Sequence, residues 1–253
     1  MKNIPLLMVK EYLLNRNGDN KQLEIKKLMK ILIAGAGKLA NSILSADLQI
    51  QGCEIAKWKN ENSTANERAI VVHAGSGRQL NECIEFCSRT QSVFIELSTG
   101  LKTENTETDF PLVICPNTSV LILKALIMLR KYGHNFDVYE KSIIESHQSS
   151  KATEPGTAYA FADSLHFNHA GIISVRDREV QLNQIEIPAE YLDKHAYHRI
   201  IIKDEEDEIA IETRVLGHKS YASGVKRIIE AVLKNKLENK KYNVLDLIEM
   251  ELL

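Results

Sequence analysis

Residues 30–40, Lys-Ile-Leu-Ile-Ala-Gly-Ala-Gly-Lys-Leu-Ala, set a short apolar run directly before two glycines one residue apart. Such a run reads as a strand buried on both faces, and glycines let the chain turn sharply at its end. Gly35-Ala36-Gly37-Lys38-Leu39-Ala40 fits the pattern G-x-G-x-x-A. In that setting glycine lets the backbone approach a pyrophosphate, and the following helix offers N–H donors and a favourable dipole at its start. A strand that feeds a helix through this turn opens a βαβ unit. It commits the chain to a parallel sheet with helices on its faces.

The rhythm downstream agrees. Ile31 to Ala34, Glu54 to Trp58, Ala69 to His73, Val93 to Leu97 and Leu112 to Ile114 read as strands, with helices over Leu39 to Gln49 and Gln79 to Arg89. A long helix rich in Leu, Ile and Met follows from about Ser119 to Tyr132. After Phe136 the pattern changes. Strands are expected at Asp137 to Ser146, Gly171 to Arg176, Arg199 to Lys203 and Ile209 to Leu216, with a helix over Thr157 to His166 between the first two. Helical periodicity returns over Tyr221 to Lys236, which suits a crossing back to the first unit. The expected fold class is α/β: a Rossmann-like doubly wound parallel sheet plus a smaller α+β domain with a mixed sheet. Residues 1–29 form an N-terminal extension, 30–118 with 218–253 the dinucleotide-binding domain, and 119–217 the substrate-binding and oligomerisation domain. A chain of 253 residues is long enough for either one large domain or two modest ones.

Composition narrows the partners. A formal net charge of -2 gives no reason to expect nucleic acid or a membrane surface. No apolar run approaches the ~20 residues of a transmembrane helix. Residues 1–29 lack a signal-peptide core, so a cytoplasmic chain is expected. The cysteines at 53, 83, 87 and 115 do not form a disulfide framework. Cys83 and Cys87 share a helix face, and with no further ligands at metal spacing they read as buried structural residues; no metal is expected. Asp204 to Glu208 reads as a solvated turn between two strands.

Lys57 and Lys59 flank the end of the second strand, where an NAD site usually places an acidic residue. Two lysines there suit a 2′-phosphate, so NADPH is the expected cofactor, with NADH as the alternative. Leu97-Ser98-Thr99-Gly100 and Cys115-Pro116-Asn117-Thr118 follow strands, at the edge where open α/β sheets bind ligands. A second kind of chemistry lies at 145–158, Glu-Ser-His-Gln-Ser-Ser-Lys-Ala-Thr-Glu-Pro-Gly-Thr-Ala. His147 and Lys151 are two proton donors four residues apart, and Gly156-Thr157 offers backbone N–H groups and a hydroxyl to an anion.

These segments together resemble the dihydrodipicolinate reductase family. Its signature E-x-H-H-x-x-K-x-D-A-P-S-G-T-A is similar to Glu145 through Ala158, with Glu145, His147, Lys151, Pro155, Gly156, Thr157 and Ala158 kept. The family's G-T-T-G is similar to Leu97-Ser-Thr-Gly100, and A-P-N-x-S-V to Cys115-Pro-Asn-Thr-Ser-Val120. Ser220-Tyr-Ala-Ser-Gly224 resembles T-F-A-x-G, and Lys241 to Asp246 resembles Y-x-M-x-D-V. The resemblance implies a reductase of 4-hydroxy-tetrahydrodipicolinate or a related cyclic imine carboxylate. Gly35 to Ala40, Leu97 to Thr99 and Cys115 to Thr118 would line the cofactor. His147 and Lys151 would be the catalytic proton donors. Gln148, Gly156 and Thr157 would hold a small carboxylate substrate. It also implies a homo-oligomer, a tetramer or a dimer, built through the second domain.

The chain also departs from the pattern. Gln148 stands at the second histidine, Thr153-Glu154 replaces Asp-Ala, and the serine before the glycine is missing. The glycine turn is one residue shorter, G-E-H is not recognisable beyond Arg176, and T-H becomes Glu212-Thr213. Gln148 and Glu154 supply less positive potential, so weaker dicarboxylate binding, with a monocarboxylate imine as the alternative, is expected. The other histidines (73, 134, 166, 169, 195, 198 and 218) read as surface or core residues, and Trp58 as cover for the sheet edge. A nucleotide-binding relative without this catalysis is the competing reading.

Overall fold

The computed structural model describes residues 28–217 and 219–253; the expected extension (1–29) lies almost wholly, and His218 entirely, outside the described residues. Strand β1 (Met29–Ala34) passes through the Gly35–Gly37 turn into helix α1 (Lys38–Ser45). β1 pairs in parallel with β2 (Cys53–Lys57) on one side and β3 (Ala69–His73) on the other. Helix α2 (Leu80–Thr90) leads to β4 (Val93–Glu96), which joins β3 to β5 (Leu112–Ile114). Along β1, Ile31 and Ile33 face one side while Leu32 and Ala34 face the other, and all four are buried. A strand buried on both faces needs a helical layer on each, which is why the run carries no polar alternation.

Helix α3 (Val120–Tyr132) carries the chain to a second sheet. Its strands are β6 (Glu140–His147), β7 (Ile173–Val175), β8 (His195–Asp204) and β9 (Asp207–Leu216), ordered β7-β6-β8-β9. β6 and β7 are parallel and the remaining pairs antiparallel. Helices α4 (Gly156–Ser164) and α5 (Arg178–Asn183) occupy the connections. The chain then returns through α6 (Lys219–Lys234), and β10 (Lys241–Asn243) pairs in parallel with β5 before α7 (Val244–Glu249). The first sheet therefore has six parallel strands, ordered β10-β5-β4-β3-β1-β2. A parallel α/β sheet with a separate mixed sheet is the expected fold class.

Trp58 lies in the core on one face of the first sheet, edge-on to Phe86 at 5.4 Å between ring centres, with Leu32, Val71 and Phe94. The opposite face packs Ile31, Ile33, Ile95 and Val113, and this core runs without a break into Ile143, Phe161 and Ile200 of the second sheet. Cys83, Cys87 and Cys115 are buried and Cys53 is half-buried; all four are free thiols.

Several boundaries differ from expectation for local reasons. α1 stops at Ser45 rather than near Gln49, and Asp47 has φ +44, which a helix cannot accommodate. β6 starts at Glu140 because a 3₁₀ turn occupies Gly133–Phe136 and Lys141 Nζ donates to the Phe136 carbonyl at 3.1 Å. β8 gains four residues at its start, where His195 to His198 alternate between two covered faces. α5 and β10 were not foreseen: one is a polar turn-and-a-half capped by the Asp177 side chain on the Val180 N–H (2.9 Å), the other is only three residues long. The acidic run at Asp204 to Glu208 is the exposed β8–β9 hairpin, with Glu205 at φ +46. Among the described residues no helix is long and apolar enough to cross a membrane.

Candidate active site

The carboxyl ends of β1, β3 and β4 surround a cavity of about 670 Å³. Gly35, Ala36, Gly37, Lys38 and Leu39 line it, together with Lys57 at the end of β2 and Ser98 after β4. Gly35 has φ +135, and a Cβ there would collide with the Ala74 carbonyl, so the loops after β1 and β3 close on each other only with glycine at this position. At Gly37 the opposite holds: a Cβ would meet nothing, because the position opens onto the cavity. Gly37 also caps α1 with no side-chain hydrogen bond, so the first N–H groups of that helix are free of a capping side chain. Free helix-start donors beside lysines and an open cavity suit the pyrophosphate of a dinucleotide.

The loop after β3 was missed by sequence reading. Ala74, Gly75, Ser76, Arg78 and Gln79 line the same cavity, with His73 at its floor. The signal was available, since Ala-Gly-Ser-Gly-Arg follows a strand as the other loops do. A buried network positions this loop. His73 Nδ1 donates to both Glu96 oxygens (2.8 and 3.0 Å), and Glu96 also accepts from the Ser98 N–H (2.8 Å). Ser98 Oγ then accepts from the Gly75 N–H (3.0 Å) and donates to its carbonyl (2.8 Å). The buried pair therefore locks two cavity loops together.

Other expected cofactor residues stand back from the cavity. Ala40, Leu97 and Cys115 are core residues. Lys59 is exposed, 3.6 Å from Glu61, while Thr99 and Pro116 face solvent. Thr118 is buried, with its hydroxyl donating to the Tyr221 carbonyl at 3.2 Å.

A second polar cluster forms at the carboxyl ends of the parallel strands β6 and β7. Glu145 is 0 % exposed; one of its oxygens accepts from His147 Nδ1 (2.6 Å) and the other from Arg176 Nη2 (2.6 Å). Burial alone would raise the Glu145 carboxyl, but bonds from His147, Arg176 and Ser174 outweigh it and hold the carboxyl down at about 2. An ionised acceptor at Nδ1 keeps the proton on that nitrogen and fixes the ring, leaving Nε2 for a ligand. Gln181 Nε2 donates to the His147 carbonyl at 2.8 Å, and the His147 ring stands edge-on to His198 at 5.7 Å. Among the described residues, His198 Nε2 and Gln181 Oε1 are buried with no hydrogen-bond partner. Lys151 sits in the turn after β6 with Nζ on Thr153 Oγ1 (2.8 Å). Its ammonium pKa is lowered, chiefly by burial, with Glu145 opposing and Arg176 adding to the shift.

Gln148 is half-buried at the same strand end, and Glu154 is exposed. Gly156 and Thr157 open α4, whose N-cap, Pro155, provides no side-chain hydrogen bond. Asn117 Nδ2 donates to Thr157 Oγ1 at 3.1 Å, while Asn117 Oδ1 accepts from the Ser119 N–H at 2.8 Å. That contact ties the loop after β5, on the cavity's sheet, to the start of α4 in the second cluster. Glu145, Arg176, Gln181 and His198 were not expected as site residues; strand parity alone puts Glu145 on the His147 face, whereas the others come from distant segments.

A family model for the dihydrodipicolinate reductase C-terminus matches residues 119–249. The chain is 26% identical over 201 residues to 4-hydroxy-tetrahydrodipicolinate reductase 1, chloroplastic, of Arabidopsis thaliana, covering 71% of this chain and 57% of that protein. It is 29% identical over 105 residues to the probable 4-hydroxy-tetrahydrodipicolinate reductase 2, chloroplastic, of Oryza sativa subsp. japonica, covering 39% of this chain and 32% of that protein. The chain thus spans between about a third and somewhat over half of the length of these curated relatives. Among solved structures, dipicolinate-bound dihydrodipicolinate reductase from Paenisporosarcina sp. TG-14 superposes with a TM-score of 0.60 at 15% identity, covering 85% of this chain and 97% of that one. That likeness is one of fold.

Proposed function

Because the chain belongs to the dihydrodipicolinate reductase family, we propose that it is a nicotinamide-dependent reductase of 4-hydroxy-tetrahydrodipicolinate or a related cyclic imine carboxylate. The observation that carries this reading is the Asn117–Thr157 hydrogen bond of 3.1 Å. It joins the sheet that bears the dinucleotide-sized cavity to the helix start beside His147 and Lys151. A nicotinamide bound in the cavity would supply hydride. The chain's own residues do the rest.

The N–H groups at the starts of α1 and α4 attract anions, the first a pyrophosphate and the second a substrate carboxylate. Lys57 and Arg78 at the cavity favour the added phosphate of NADPH, with NADH as the alternative. Because Glu145 holds Nδ1, His147 meets the substrate through Nε2, which gives up a proton only from the imidazolium form, whereas Lys151 offers an ammonium proton directly. Reduction of a conjugated imine leaves negative charge that one of these protons neutralises. The cytoplasm is the proposed compartment, whereas the curated plant relatives are chloroplastic by name.

The test is NADPH oxidation by the full chain with freshly generated substrate. His147→Ala and Lys151→Ala should each lower kcat by about 10²–10⁴, the usual cost of losing a general acid. NADPH affinity should stay within about threefold of the parent, since neither residue lines the cavity. Full activity in both variants would remove them from the chemistry. NADPH binding without turnover on any cyclic imine carboxylate would leave the non-catalytic alternative standing.

A further inference from the structure

The geometry points to Arg176 as a carboxylate-binding residue that pairs with Lys151, so that the site grips a dicarboxylate at both ends. This inference rests on the reductase reading above and assigns a residue to the second carboxylate. Ser146 and Val175 are the last bridged pair of β6 and β7, so His147 and Arg176 extend side by side from the ends of two parallel strands. Both sit one residue past that pair in the same register, which places them together on the face of Glu145, opposite to Ser146 and Val175. Arg176 Nη2 is anchored on the buried Glu145, and Nη1 donates to the Val175 carbonyl at 3.0 Å. A guanidinium has five N–H donors. Two are engaged here, and the other three are not held by any described residue. The side chain is 26% exposed, so the guanidinium is not sealed within the core.

Charge leads to the same place. Lys151 and Arg176 are two cations within electrostatic range of each other, and Glu145 is a carboxylate that acts on Lys151 and is hydrogen-bonded to Arg176. Glu145 is fully buried and already accepts from His147 and Arg176, so it offers nothing further to a ligand. One positive charge is therefore uncompensated even with His147 neutral. A carboxylate laid across the free edge of the Arg176 fork satisfies that excess with two parallel hydrogen bonds. Such a contact also makes good the positive charge lost where Gln148 replaces a histidine. Gly156 and Thr157 remain for the other carboxylate.

Titration calorimetry of the NADPH-loaded chain with two planar probes, pyridine-2,6-dicarboxylate and pyridine-2-carboxylate, tests the assignment. The parent protein should bind the dicarboxylate about 10- to 100-fold more tightly, the worth of one charge-assisted pair. Arg176→Ala should bring that ratio close to one while changing monocarboxylate affinity little. Arg176→Lys keeps the charge without the fork and should retain an intermediate ratio; it also serves if the alanine variant fails to fold. An unchanged ratio in the variants, or equal weakening of both probes, would overturn the inference and leave Arg176 as a brace for Glu145. No preference in the parent would overturn it as well. A preference that depends on Arg176 in a chain that never oxidises NADPH would sustain the inference while the reductase reading fails.

Discussion

His198 is buried in edge contact with the rings of His147 and Phe161, and its Nε2 has no hydrogen-bond partner among the described residues. Burial, aided by the nearby His147, pushes its pKa down to about 3. The unfolded chain binds a proton at this residue below about 6.5 and the folded chain does not. Stability is therefore present above about pH 6.5 and drains away as the pH falls from there towards 3. Glu145, held at about 2, adds a second loss beginning only below its ordinary value near 4.5. A urea midpoint measured from pH 8 to pH 4 should fall first between 7 and 5. His198→Gln should flatten that first phase, and an unchanged phase would assign it elsewhere. At the cavity, Gly37→Glu fills the open space before α1 with a side chain of the wrong charge. It should abolish binding of both nucleotides in calorimetry, while the parent should bind NADPH more tightly than NADH through Lys57 and Arg78. Parent affinity that ignores the 2′-phosphate would remove those two cations from the site.

At the scale of elements, α6 has to cross directly beneath the loop after β5. A Cβ on Gly224 would run into the Thr118 carbonyl, and the Thr118 hydroxyl in turn donates to the Tyr221 carbonyl on the same helix. The helix interior holds this glycine despite its poor propensity because two backbones meet there. Gly224→Ala should gain helix propensity yet lose stability overall, by about 1–3 kcal/mol as for other overpacked contacts. A denaturation midpoint equal to or above the parent's would show that the crossing can relax. The same return path explains β10: Lys241–Asn243 is too short to read as a strand, and it becomes one only because α6 delivers it to the edge of β5. In α5, too, a cap on Asp177 rather than apolar periodicity makes the helix.

On the scale of the whole molecule, the two faces of the second sheet differ. One packs Ile143, Ile200 and Phe161 into the shared core. The other carries Ile144 and Ile201 half-buried, Ile173 at 54% exposure, and Ala210 and Glu212 exposed. A broad, partly apolar sheet face of this kind gains from pairing with a second copy, and edge strands gain too. The proposal of a homo-oligomer, dimer or tetramer, is tested by sedimentation across a concentration series. Ile201→Lys should shift the assembly towards monomer, and a parent that is monomeric throughout would end the idea.

The doubly wound sheet was legible because its cause is local. Ile31 to Ala34 is apolar on both sides and Gly35-Ala36-Gly37 follows at once, so strand, turn and helix are written in consecutive residues. His147, Lys151 and Gly156-Thr157 were legible for the same reason, being crowded into a dozen positions. The Lys59, Thr99 and Pro116 positions looked equivalent to true cavity residues, since a linear pattern does not say which way a loop residue turns. Nothing local links Glu145 to Arg176, His73 to Glu96, or Asn117 to Thr157, which lie 31, 23 and 40 residues apart. Strand order and register decide those meetings. By itself, then, the sequence determined the kind of sheet and the chemistry available. Only the tertiary structure decided which charges share a buried space, because pairing buried charges depends on proximity that the chain acquires on folding.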